Sequence, residues 1–314
     1  MIRYLLGWFF LLSWLGADIL PAEITPADID RHYMGIRILD QKVLDIGAIQ
    51  GIKFAEISDL AYDKKHDLLY MVSDKGILYS FRCHFSKEKM TLHPLRAGYL
   101  KDRKGKRLRK WKRDSEGMTL DKRGRLLISF EGDVKIAWFH KNGSKFGWMI
   151  RKFPLPKELR KIKHYRSKNK SLEALAWHPK YGILTAPEWP LKQYRKKAHT
   201  IYSLKGKRWF FRAEKEARSS VTAMETMDNG TLLVLERSFT GIFEPFVVTL
   251  KQVSLSGCHG ECPSKVIAKF NTHKGWDIDN FEGLCRVAPH RYLMVSDNGD
   301  NFYQKTLLVY FEVL

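Results

Sequence analysis

The chain has 314 residues, 44% hydrophobic and 28% charged, with 55 Lys and Arg against 34 Asp and Glu for a formal net charge of +21. Such a chain buries a core, and it is not a collagen, a coiled coil, a disulfide-dense miniprotein or a polytopic membrane protein. The length admits two domains or one large all-β domain, and the positive balance favours anionic partners.

Residues 1–17 read as a secretory signal peptide. Arg3 precedes an apolar run over residues 5–15, and the small residues Gly16 and Ala17 follow it. The run is shorter than the ~20 residues that span a bilayer. The alternative is an uncleaved N-terminal anchor. Either way the chain is expected in the periplasm or outside the cell. Residues 18–34 are read as a lead-in and 35–314 as one folded domain.

The organising feature is a repeat, found five times. An acidic residue precedes a short apolar strand, a turn follows, and a second strand ends in another acid. The leading acids are Asp59, Glu116, Glu173, Glu225 and Glu282, spaced 57, 57, 52 and 57 residues apart. The trailing acids are Asp74, Glu131, Glu188, Glu236 and Asp297. Turn signals such as Asp228-Asn229-Gly230 lie between the strands. A third strand follows each trailing acid, and a fourth follows in all but the last repeat. Four antiparallel strands per unit predict an all-β, single β-propeller of four-stranded blades. The count gives five blades; six remain open if residues 100–114 or 157–170 hide a degenerate one. Residues 35–46 are strand-like, and they are expected to supply the strand that the last blade lacks, closing the ring and hiding two sheet edges.

In a propeller the first strand of each blade lines the central channel. The leading acids are therefore expected around one mouth, with the trailing acids one layer out. Carboxylates so close repel unless cations neutralise them, and a cluster of hard oxygen donors suits Ca²⁺ or another divalent cation. The competing expectation is that each acid binds backbone N–H groups of a neighbouring blade. Asp59, Glu116, Glu173, Glu282 and Asp297 are the candidate metal ligands. Glu131, Glu188 and Asp74 are the candidate general bases. Arg237 either binds an anionic substrate group or fixes the hairpin end as an ion pair.

Cys258 and Cys262 close a short loop, as a disulfide or, less readily, as part of a Cys/His metal site. Cys83 and Cys285 are expected to be buried. No Gly-x-Ser-x-Gly or H-E-x-x-H motif occurs. His178, before Pro179 in a turn, is expected at the surface. Three basic segments, residues 101–113, 157–170 and 192–197, fall beside acid-bearing loops. They are read either as a capture surface for a polyanion or as solvated loops.

The residues Ser171-Leu-Glu-Ala-Leu-Ala176, Leu184-Thr-Ala-Pro-Glu-Trp-Pro-Leu191, Leu233-Val-Leu-Glu-Arg-Ser-Phe239, Asp279-Asn-Phe-Glu-Gly283 and Val295-Ser-Asp-Asn298 resemble signatures of the phytase-like family named esterase-like activity of phytase. The resemblance covers about residues 45–314. It implies an exported propeller that hydrolyses phosphoesters or carboxyesters. It also implies, by analogy with β-propeller phytases, calcium at channel-mouth carboxylates. Asn298 and Arg237 are then candidate substrate-binding residues. The expected partner is an anionic small molecule or envelope polymer, with peripheral contact to an anionic membrane surface. No nucleic acid is expected, and the chain is expected to be a monomer. The alternative is a binding propeller without turnover.

Overall fold

Each repeat folds as an antiparallel sheet with the acid-bearing segment innermost. The structure, a computed structural model, describes residues 17–314 apart from residues 217, 242 and 302. The signal-peptide reading of residues 1–17 thus lies outside the described residues, save for the backbone of Ala17.

Blade one comprises Ile57–Asp63, Leu68–Ser73, Ile77–Phe85 and Met90–Tyr99. Blade two comprises Ser115–Leu120, Leu126–Phe130, Lys135–Phe139 and Met149–Lys152. Blade three comprises Leu172–His178, Gly182–Pro187, Ala198–Ser203 and Arg208–Arg212. Blade four comprises Ser220–Thr226, Leu232–Ser238, Val247–Val253 and Ser264–Asn271. Blade five comprises Asn280–Ala288, Arg291–Asp297 and Leu307–Val313, and Ile36–Ile46 completes it. The pairing runs antiparallel from Leu307 opposite Val43 to Val313 opposite Ile36, so the predicted closure holds.

The five innermost strands contact one another in a closed circle. The propeller therefore has five blades. The connections that could have hidden a sixth carry short 3-10 turns at Lys110–Lys112, Lys157–Leu159 and Ile162–His164 rather than a sheet. Among the described residues no helix is long and apolar enough to cross a membrane.

The residues read as a lead-in belong to the propeller. Ala17–Pro21 pairs with Ile36–Ile46 as a further strand of blade five, and Ile24 is buried between blades four and five. Buried apolar side chains of the described chain fall into five clusters, one in each gap between adjacent blades. Burying them removes apolar surface at about 25 cal/mol per Å², which is what holds blade to blade.

Cys258 and Cys262 form a disulfide, with Cα atoms 5.2 Å apart. Cys83 and Cys285 are free and buried. Burial pushes the Cys83 thiol up to about 12 and that of Cys285 well above its ordinary value, so neither is a ready nucleophile. His178 corrects the surface expectation. It is 4% exposed, and its Nε2 lies 2.9 Å from the Gly230 carbonyl, joining a turn of blade three to blade four.

Candidate functional site

Every innermost strand carries a β-bulge at the same place. The register slips between Ile57 and Asp59, Ser115 and Met118, Leu172 and Ala174, Val221 and Ala223, and Phe281 and Gly283. A bulge inserts one residue and re-aims the side chain there. In register, the bulge residues are Ser58, Glu116, Glu173, Thr222 and Glu282. The next position is small in four blades (Gly117, Ala174, Ala223 and Gly283), and adjacent innermost strands approach closely there. A Cβ on Gly117 would meet the Glu173 carbonyl oxygen at 2.2 Å, and one on Gly283 would meet the Asp59 Cα at 2.8 Å.

This register corrects two of the expected leading acids. Asp59 stands one residue past the bulge, at the close-approach position. Its Oδ1 accepts the N–H of Leu60 at 2.8 Å and of Leu284 at 3.0 Å, and its Oδ2 accepts that of Met118 at 2.6 Å. Asp59 staples blade one to blades two and five, the competing role, and its oxygens are occupied. Glu225 stands three residues past the bulge and lines a pocket of about 380 Å³ at the opposite mouth, with Tyr62, Trp177 and Arg286. Burial raises its carboxyl to about 7 against two backbone N–H donors, from Thr226 and Arg286.

The outer layer follows the same rule. The residue one past the partner of the last residue before each bulge is Asp74, Glu131, Glu188, Arg237 and Asp297. Blade four therefore places Arg237 where the others place an acid. Glu236, expected in the ring, is one residue earlier and lies in the interior, 2.7 Å from Lys251 Nζ and accepting from Ser219 Oγ at 2.7 Å.

Arg237 acts as an internal counter-cation. Its guanidinium binds Glu282 at 2.6 Å and Glu188 at 3.1 Å, and it donates to Asn280 as well. Burial opposes its charge, but Glu282, Glu188 and Glu173 outweigh burial and raise its pKa. Lys170 Nζ binds Glu188 at 2.6 Å, and Lys75 Nζ binds Glu56 at 2.5 Å and Asp74 at 3.2 Å. Among the described residues, these three cations, with Arg113 and Lys135 acting on Asp114, face nine carboxylates: Glu56, Asp74, Asp114, Glu116, Glu131, Glu173, Glu188, Glu282 and Asp297.

The excess negative charge shows in the titration of the group. Burial, then Glu188 and Asp114, push Glu131 up to about 8 against a Ser171 N–H bond of 2.8 Å. Burial, then Glu282, push Asp297 up to about 8. Burial and Glu56 push Asp74 up to about 6. Glu116 and Glu173 are raised well above the ordinary value by burial and by neighbouring carboxylates. Glu282 is raised by burial, with Arg237 and an Asn280 bond pulling the other way.

Two groups bring oxygens within 4.8 Å of one another: Asp114 with Glu116 and Glu131, and Glu131 with Glu173 and Glu188. Glu131 is common to both. Glu173 is 6% exposed and has no hydrogen-bond partner for its carboxylate among the described residues. Asp114, absent from the sequence reading, precedes the bulge by two residues. Glu56, Ser171, Ser220 and Asn280 occupy that position in the other blades, and this run of polar residues was the available signal. Asn298 sits at the same mouth, with its Oδ1 accepting from Glu56 N at 2.9 Å and Asp300 N at 3.2 Å, so it ties blade five to blade one.

Two basic segments lead into this mouth: residues 101–113 run directly to Asp114, and residues 157–170 end with Lys170 on Glu188. Beside the ring opens a cleft of about 950 Å³. Glu188 and Arg237 lie on its ring side, and Trp189, Phe239, Phe246 and Tyr303 give it aromatic walls.

No curated protein matches the sequence. Among solved structures, virginiamycin B lyase from Staphylococcus aureus is similar over 95% of this chain and 100% of its own, at 8% identity and TM-score 0.41. The PQQ-bound aldose sugar dehydrogenase from Streptomyces coelicolor is similar over 92% and 100%, at 10% identity and TM-score 0.40. The β-propeller domain of Cps50 (Swd1) from Myceliophteria thermophila is similar over 95% and 100%, at 9% identity and TM-score 0.40. The family described as phytase-like, esterase-like activity of phytase, matches residues 52–302. The chain belongs to that family.

Proposed function

We propose that this chain is an exported hydrolase that holds a divalent cation, calcium foremost, and cleaves an ester of an anionic substrate, a phosphoester before a carboxyester. The observation that carries the reading is Glu173, a buried carboxylate with no donor, set among Glu116, Glu131 and Glu188. A buried carboxylate without a hydrogen-bond donor is costly, and the like charges of Glu188, Glu116 and Glu131 add to the cost. A cation removes the cost.

The donors fit such an ion. All are carboxylate oxygens, which hard cations prefer. Glu131, Glu173 and Glu188 would hold it, with Asp114 and Glu116 adjoining through Glu131. Asp59 is left out by its three backbone bonds. When bound, the cation would neutralise developing charge and activate water. The chain's own groups do the rest. Arg237 and Lys170 present positive charge to an anionic group entering from the cleft. Asp74, at about 6, is suited to exchange a proton near neutral pH.

Residues 1–17 support export to the periplasm or medium. The +21 charge supports an anionic small molecule or envelope polymer as partner and peripheral contact with an anionic membrane surface. Closure of blade five by Ile36–Ile46 supports a monomer, since that closure leaves fewer free edges. A second reading, binding without turnover, is favoured by one fact: Arg237 and Lys170 are already engaged by Glu188 and Glu282.

The test is release of phosphate or nitrophenol from a panel of phosphoesters and carboxyesters, with calcium or with chelator. Calcium-dependent turnover that Glu131→Gln abolishes supports hydrolysis. Absence of turnover on the whole panel by calcium-loaded protein overturns it in favour of binding alone.

A further inference from the structure

The cleft beside the acid ring continues outward. A second cleft, of about 660 Å³, adjoins it, and Trp189 and Arg218 line both. The second cleft also carries Lys196, Lys197 and Lys215, which like Arg218 are exposed. None of these four cations has a side-chain hydrogen bond or ion pair among the described residues. The two acids on the same wall are engaged by other lysines. Glu214 binds Lys251 at 2.9 Å and Lys269 at 2.8 Å, and Glu216 binds Lys269 at 2.9 Å. Lys251 is itself buried and held by Glu236 and by the Arg212 carbonyl, at 2.7 and 2.9 Å. The two acids on this wall are thus engaged by lysines outside the patch, and the four exposed cations outnumber them in one trough.

Like charges gathered in this way attract a polyanion and repel one another without it. The trough and the ring-side cleft meet at Trp189 and Arg218, so a compact ligand fills one of them and only an extended ligand fills both. We propose that the trough is a second subsite for an unbranched polyanion with a phosphate at each repeat. A chain anchored on Arg218 and the three lysines delivers one end past Trp189 to Arg237 and the acid ring. The choice of phosphate rests on the phosphoester reading of the ring. Binding in the trough does not, and it is measured without turnover.

The experiment compares inorganic tripolyphosphate with long-chain polyphosphate, binding to full-length protein in chelator over a range of salt. The long chain is expected to bind at least about tenfold tighter than the short one, because both subsites act on one molecule. Combined replacement of Lys196, Lys197, Lys215 and Arg218 by Ala removes that advantage. It also lowers the log–log salt slope by about 3, at about 0.7 per lost phosphate contact. A control removes the same charge elsewhere, with the exposed Lys64, Lys65, Lys87 and Lys89 of blade one replaced by Ala, and it keeps both the advantage and the slope. The proposal is overturned if the control loses as much as the trough variant, or if the trough variant binds the long chain as the native protein does. Thermal unfolding checks that both variants are folded. Should the trough bind as stated while no ester is hydrolysed, the hydrolase reading falls and the subsite stands.

Discussion

Arg237 of blade four occupies the position that Glu188 holds in blade three, and the two side chains meet at 3.1 Å. One blade thus supplies the counter-charge for its neighbours' acids. Removing it by Arg237→Gln leaves Glu188 and Glu282 less compensated. The expected loss is about 3–5 kcal/mol, the usual cost of taking one partner from a buried pair. Acid pH should restore part of it by protonating the carboxyls. Urea unfolding at neutral and acid pH measures both effects.

The pH dependence of stability has a definite sign. Glu131 and Asp297 are raised to about 8 in the fold. Across the interval from the ordinary carboxylate value up to about 8, the folded protein keeps protons that the unfolded chain has released. Stability of the cation-free protein therefore falls as pH rises through that interval. Calcium should flatten the fall, because it stabilises the ionised folded form. Unfolding midpoints across this pH range, with chelator and with calcium, read the difference.

Glu173→Gln should act in opposite directions on stability and on binding. In chelator at about pH 8, removing one carboxylate from a crowded buried group should stabilise the fold by about 1–2 kcal/mol. Calcium affinity should fall by about tenfold or more, since a charged ligand is lost. Thermal unfolding and calcium titration of the same sample check the pair of signs.

Asp59→Asn is the counterpart. An amide nitrogen in place of one oxygen would face a backbone N–H, leaving a buried donor unpaired at about 1–3 kcal/mol. Calcium stoichiometry should stay as in the native protein. A change in stoichiometry would return Asp59 to the ligand set.

The disulfide Cys258–Cys262 closes a short loop. Replacing both cysteines by Ser should cost roughly 2 kcal/mol, from the loop-entropy relation for five residues. Denaturant unfolding of the double variant against native protein measures it.

Much of the fold is legible in the sequence. Blade number, strand order and the closing strand at residues 36–46 follow from hydrophobic alternation and turn residues, which short-range physics dictates. The ring is legible only in part, because the leading acids do not all share one register. The bulge sets the register, and the bulge admits Ser58 and Thr222 as readily as a glutamate. Aligning instead on the apolar residue two positions later, Leu60, Met118, Leu175, Met224 and Leu284, puts Ser58, Glu116, Glu173, Thr222 and Glu282 in one ring. It also puts Arg237 in the outer layer and moves Asp59 and Glu225 out. What no repeat could reveal is which lysines reach the mouth. Lys170 and Lys75 arrive there from connecting segments, whose paths the tertiary fold decides.

The most direct measurement is a calorimetric titration of chelator-treated protein with calcium near pH 7, repeated in buffers of different ionisation enthalpy. Because Glu131 is raised to about 8, calcium should displace protons as it binds. We expect saturable binding with proton release, lost in Glu131→Gln. Binding that releases no protons and survives Glu131→Gln, or no binding at all, would contradict a cation centre at the channel mouth.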